Sequence, residues 1–217
     1  MKHFKVDNKG TGQLFHNKFL ERLTRTPFLV PVLFYYLVSL LCIWHAYTSP
    51  NVGLLDNIWM IPAGMVAFSF VEYLIHRFLF HFNASTEKQE KIQYSIHGIH
   101  HEFPRDKDRL VMPIAISVIL ALLFYLFFKA IFGENGIVFF AGFMAGYSTY
   151  LVIHFAVHAM KPPQNFLKYW WRHHSLHHYA SVHTAFSVSF PLWDILFGTM
   201  PSPQERTKVS EKLPDAI

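Results

Sequence analysis

The stretch IWMIPAGMVAFSFVEYLIH (residues 58–76) is nineteen residues long and carries one carboxylate, Glu72, before it closes on a histidine. A helix of that length crosses the roughly 30 Å hydrocarbon core of a bilayer. Three further segments read the same way, so the spans are expected at about 27–47, 58–76, 110–132 and 136–158. Small residues and glycines in the second and fourth suit close helix packing in lipid. Pro162 and Pro163 are expected to end the fourth. Only 15% of the chain is charged, against about 25% in an ordinary soluble domain. The expected fold is therefore an all-α integral membrane protein with four transmembrane helices, folded as one domain over residues 1–217.

Lys and Arg set the orientation. Six precede the first span, six lie between the second and third, and six follow the fourth. The two other loops hold none, and Lys129 near the far end of the third span can snorkel outward. Both termini are thus expected in the cytoplasm. Residues 82–109 and 160–205 are too aromatic for disorder and are expected to fold as a cytosolic helical cap, with the last dozen residues loose. The net charge of +5 is scattered, so nucleic acid is not an expected partner. The single Cys42 excludes an internal disulfide and a thiolate cluster.

Ten of 15 histidines form two matching sets, both on the cap side. One is His76, His81, His97, His100 and His101; the other is His154, His158, His174, His177 and His178. In each, sixteen positions separate the last histidine of the first pair from an HxxHH triplet. On a helix, positions three and four apart share a face, which suits each triplet and the pair His154/His158. His76 and His81 are five apart, about 140° around a regular helix, and converge only if the helix ends or bends between them. A lone histidine near a membrane surface is ordinarily a packing residue; His45, His3 and His16 fit that reading, and His173 lies one residue off the triplet's face. Ten in repeated spacing point instead to metal, since imidazole suits Zn, Cu, Fe and Ni. One structural zinc needs four ligands, so ten suggest two ions. Zinc has no redox chemistry, so an oxidative reaction calls for iron, with zinc able to occupy the same ligands in purified protein. Glu72, His183 and Asp194 are candidates to orient ligands from behind. Asp106 and Asp108 are expected to pair in solvent with Arg105, Lys107 and Arg109.

VEYLIHRFLFHF (71–82), HGIHHEFPRDKDRLVMP (97–113), HHSLHHY (173–179) and PLWDILFGT (191–199) together resemble the membrane fatty acid hydroxylases. Within that superfamily the likeness is closest to the fatty acid 2-hydroxylases, or sphingolipid alpha-hydroxylases, over about residues 67–201. The resemblance implies a four-span core and cytosolic cap around a histidine-bound dimetal centre held by the ten histidines named above. It also implies use of O2 and electrons to hydroxylate C2 of a long acyl chain in a membrane lipid. Many members carry a fused cytochrome b5 domain; none precedes the core here, so the resemblance implies a separate electron donor of cytochrome b5 or ferredoxin type. That difference favours the bacterial inner membrane over the endoplasmic reticulum. His183 and TAFSVSF (184–190) stand where the family usually has Gly. An acyl chain is expected in a slot beneath the cap; Phe80, Phe82, Tyr94, Phe103, Tyr169, Trp170 and Phe186 either line it or serve as ordinary interface belt or core packing. The same ligands also suit a sterol or carotenoid hydroxylase or a lipid desaturase. A metal-ion transporter is disfavoured, because transporter sites lie near the bilayer midplane.

Overall fold

A computed structural model describes residues 5–55 and 57–212, with side chains through residue 207. Lys2, His3 and residues 213–217 lie outside that range. The described residues form helices and turns, with no strand among them. The helices are α1 (Lys18–Leu23), α2 (Leu29–Thr48), α3 (Met60–Leu74), α4 (Glu87–Gln93), α5 (Ile99–Glu102), α6 (Ile114–Phe132), α7 (Gly136–Ala159), α8 (Lys168–Tyr179), α9 (Leu192–Leu196) and α10 (Pro203–Lys212). The tail expected to be loose is thus helical as far as Lys212.

Three helical stretches are long and apolar enough to cross a membrane: residues 29–48, 60–80 and 107–159. The third has 53 residues, which as one straight helix would run about 80 Å. It breaks instead at Gly133, whose φ of +61° is the left-handed region that glycine enters without a Cβ penalty. The chain then doubles back, so that α7 lies against α6. Helix α7 is the centre of the molecule and packs on α2, α3 and α6. It meets α3 backbone to backbone. A Cβ on Gly64 would stand 2.2 Å from the Phe139 carbonyl oxygen, and one on Gly142 would stand 2.0 Å from that of Ile61. Tyr35, Phe68, Phe128, Phe140 and Phe143 fill the space between the helices. Outside them, α6 exposes Ile119, Leu122, Leu123, Leu126 and Phe127, a face suited to hydrocarbon rather than water.

Helix α3 does not stop at His76 as the sequence suggested. It widens into a π-turn over Ile75–Phe80, with the His81 amide donating to the His76 carbonyl. A second π-turn, Tyr94–Gly98, joins α4 to α5. Helix α7 ends at Ala159, ahead of Pro162 and Pro163.

The N-terminal residues form a strap across α5 and its neighbours. The Gly12 amide donates to Asp106, and its carbonyl accepts from Arg25 and Arg109. Arg109 also pairs with Glu21, whose other oxygen receives the Leu14 and Phe15 amides. Asp106, expected in solvent, is therefore buried and holds the strap. The exposed Asp108 contributes its carbonyl, which accepts from the Thr26 amide. Burial works to raise the Glu21 carboxyl, but the Phe15 and Leu14 amides and Arg109 outweigh it and hold the group at about 2.

Candidate metal centre

All ten clustered histidines are buried, and the fold sorts them into two groups. The nitrogens of His76, His81, His97, His101 and His177 lie within 4.8 Å of one another. Those of His100, His154, His158 and His174 form a second such set. His178 borders the second set, with its Nε2 3.1 Å from that of His174. Each HxxHH triplet thus divides: the histidines four apart serve the group of their own half, and the middle one crosses to the other. His100 goes to the second group and His177 to the first.

Helix geometry explains how both halves reach the same arrangement. His154 and His158 sit one regular turn apart on α7. His76 and His81 have one extra residue between them, and the π-turn absorbs it. Its i→i+5 bond brings positions five apart into the relation that an α-turn gives positions four apart.

The rings turn their Nε2 atoms inward. These atoms are 3.1 Å apart in His76–His97, 3.0 Å in His97–His101 and 3.0 Å in His81–His177. In the second group the spacing is 3.2 Å for His100–His154 and 2.8 Å for His158–His174. Three rings have a fixed tautomer. His76, His177 and His154 point Nδ1 at the carbonyls of Phe186, Thr184 and Leu110. A carbonyl only accepts, so Nδ1 carries the proton and Nε2 offers a bare lone pair. Ligands about 2.0–2.1 Å from a metal stand about 2.9 Å apart at right angles and about 3.4 Å apart in a tetrahedron. The observed spacings fit donors around an ion. Burial pushes His97, His100, His101, His174 and His178 well below the ordinary histidine range, with neighbouring imidazoles adding to it, and brings His177 to about 4. Neutral rings are the form that binds metal.

The carboxylates act through backbone. Asp194, fully buried, accepts from the Phe186 and Ser187 amides, the Thr199 hydroxyl and His173 Nε2. Burial works to raise it, but the hydrogen bonds from His173, Thr199 and the Ser187 amide hold it below the usual carboxylate range. Glu72 accepts from the Val188 and Ser189 amides and the Ser189 hydroxyl. Neither carboxylate touches a ring of the two groups in these hydrogen bonds. His173, set aside in the sequence, is part of this support. Its signal was Asp194 itself, a charge within an apolar stretch that needs a donor. His183 is exposed and joins neither group.

A cavity of about 620 Å³ meets both groups, touching His76, His97, His100 and His154. It runs down between α3, α6 and α7 as far as Phe68, Phe124 and Phe143. Leu14 and Phe15 of the strap and Ile92 and Ile96 wall its other end. Of the seven candidate aromatics, only Phe80 lines it. The cavity runs from the insert residues Ile92 and Ile96 into the helix bundle, and most of its aromatic lining comes from the helices there.

Residues 61–199 match the family model described as fatty acid hydroxylase. The chain belongs to that family. It is an oxidoreductase of the hydroxylase type. A dihydroceramide fatty acyl 2-hydroxylase of Arabidopsis thaliana is 32% identical over 95% of this chain and 87% of its own length. Fatty acid 2-hydroxylase of Mus musculus is 32% identical over 91% of this chain and 59% of its own. The chain therefore spans little more than half of some relatives. The solved structure of full-length scs7p, of which only the hydroxylase domain is visible, superposes with a TM-score of 0.82. The identity there is 34%, over 90% of this chain and 74% of that one.

Proposed function

We propose that this chain hydroxylates C2 of a lipid acyl chain, at two iron ions held by the ten clustered histidines. The observation that carries the reading is the apolar cavity that touches histidines of both groups. Bound iron would supply activation of O2 and oxidation of an unactivated C–H bond, with two electrons from a separate carrier protein. The rings of His76, His81, His97, His101 and His177 would hold one ion. His100, His154, His158, His174 and His178 would hold the other. The protein's own part is to fix those rings, keep them neutral, exclude water and aim the chain. The three helix interiors that wall the cavity supply the dry guide.

The lining also bears on the substrate. Arg109 is the one Lys or Arg among the lining residues, and it is engaged by Glu21, Asp106, Thr24 and the Gly12 carbonyl. A free carboxylate entering here would find no unengaged guanidinium or ammonium, and burying it unpaired is costly. An acyl chain in neutral amide linkage avoids that cost. This agrees with the dihydroceramide and ceramide hydroxylases among the relatives.

In the membrane, α2, α3 with its π-turn, α6 and α7 would make four passes. The insert and tail would cap them on the cytoplasmic face, where Lys and Arg are concentrated. The test is lipid mass spectrometry of cells with and without the chain, grown under 18O2. The account predicts 2-hydroxyacyl lipids that carry one labelled oxygen only in expressing cells. No new hydroxylipid from iron-loaded protein with an electron donor and ceramide substrates would overturn it.

A further inference from the structure

The segment 184–189 makes hydrogen bonds and ring contacts with the first histidine group and, among the described residues, no hydrogen bond with the second. The Thr184 carbonyl accepts from His177, and the Phe186 carbonyl accepts from His76. Between them Ala185 has φ of +56°, a left-handed conformation that L side chains rarely adopt. Such strain persists only where the surroundings over-determine it. Here they do. The Ala185 amide donates to the Thr199 carbonyl at 2.9 Å. Asp194 takes the next two amides, Phe186 at 3.0 Å and Ser187 at 2.9 Å. Glu72 takes the two after that. Two buried carboxylates thus grip a bent segment so that its carbonyls fix two rings of one group.

The second group lacks this support. Only His154 is fixed, by the Leu110 carbonyl at 2.9 Å. The outer nitrogens of His100, His174 and His178 are buried without a partner among the described residues, against His81 alone in the first group. The donor sets differ too, five mutually close nitrogens against four.

We propose that the two metal positions are unequal. The first group holds its ion tightly through the clamp at residues 184–189, with Asp194 as the positioning residue, and the second group exchanges its ion readily. The proposal rests on the two-ion reading above, and the experiment separates the two.

Zinc-loaded full-length protein in nanodiscs is mixed with a chromophoric chelator, and zinc release is followed by absorbance. Two phases of one ion each are expected, with rates at least about tenfold apart. His177→Ala should abolish the slow phase and His174→Ala the fast one. Asp194→Asn keeps the shape but turns an N–H toward donors. It should speed the slow phase about 10- to 100-fold, the range for lost support behind a ligand, and leave the fast phase unchanged. Thr199→Val removes one hydrogen bond from Asp194 and should speed the slow phase a few-fold, which carries the test if Asp194→Asn does not fold. A single phase releasing two ions would overturn the inequality. Equal acceleration of both phases by either variant would mean general loosening and would overturn the clamp. Fewer than two ions in the wild type would instead overturn the two-ion reading.

Discussion

Ala185 is the residue where local preference and site geometry conflict most openly. Its φ of +56° costs an L-residue about 1–2 kcal/mol, and glycine removes that cost. Glycine also loosens the unfolded chain by about 0.4–1 kcal/mol. Ala185→Gly should therefore stabilise the protein by about 0.5–1 kcal/mol, read as a thermal midpoint higher by about 2 °C. A lowered midpoint would show that the alanine methyl contributes packing the strain argument omits. The ten histidines themselves were legible, because HxxHH on one helical turn has few other uses. Their division between groups was not. Spacing says that His97, His100 and His101 share a face, but only the facing helices decide that His100 crosses to the second group. His173 was missed because it lies off that face, and its partner is 21 residues away.

At the scale of elements, the junction of α3 with α7 sets the distance between the first histidine pair, at the end of α3, and the second, at the end of α7. Gly142 lets the two backbones touch. Gly142→Ala puts a methyl against the Ile61 carbonyl, and overpacking of this kind costs about 1–3 kcal/mol. Thermal unfolding should show that loss, and the purified variant should retain less metal per chain. Unchanged stability and metal content would mean that α3 and α7 part without disturbing the histidines. Gly12→Ala makes a parallel case in the strap, because its Cβ would meet Ile99 at 2.5 Å and Phe103 at 2.9 Å. Proteolysis near the N-terminus should become faster in that variant, and equal rates would show that the strap tolerates the shift. The long apolar helices were readable to within a few residues from hydropathy alone. The π-turn was not, since an inserted residue in a helix can equally end it, bend it or widen it. The strap was not readable either. Its buried charges are drawn from residues about 85 positions apart in the chain, and Asp106 beside three basic neighbours reads as surface.

The whole molecule concentrates neutral imidazole in a dry interior, and this sets its response to acid. His81, His97, His100, His101, His174, His177 and His178 are all pushed down from the ordinary value by burial. As pH falls through about 6.5 the unfolded chain takes up protons that the fold refuses. Stability is thus full above that pH and declines below it, by up to about 1.4 kcal/mol per pH unit for each such group. Glu21 acts in the same direction only in much stronger acid, from its ordinary range down to about 2. The metal-free protein should therefore melt well below its pH 7.5 midpoint when measured at pH 5.5. An unchanged midpoint would mean that the rings are accessible to protons in the fold. The most direct test of the account is a diffraction data set at the metal absorption edge from crystals of iron- or zinc-loaded protein. The account predicts two anomalous peaks, one among His76, His81, His97, His101 and His177 and one among His100, His154, His158, His174 and His178. A single peak, or peaks away from those rings, would contradict it.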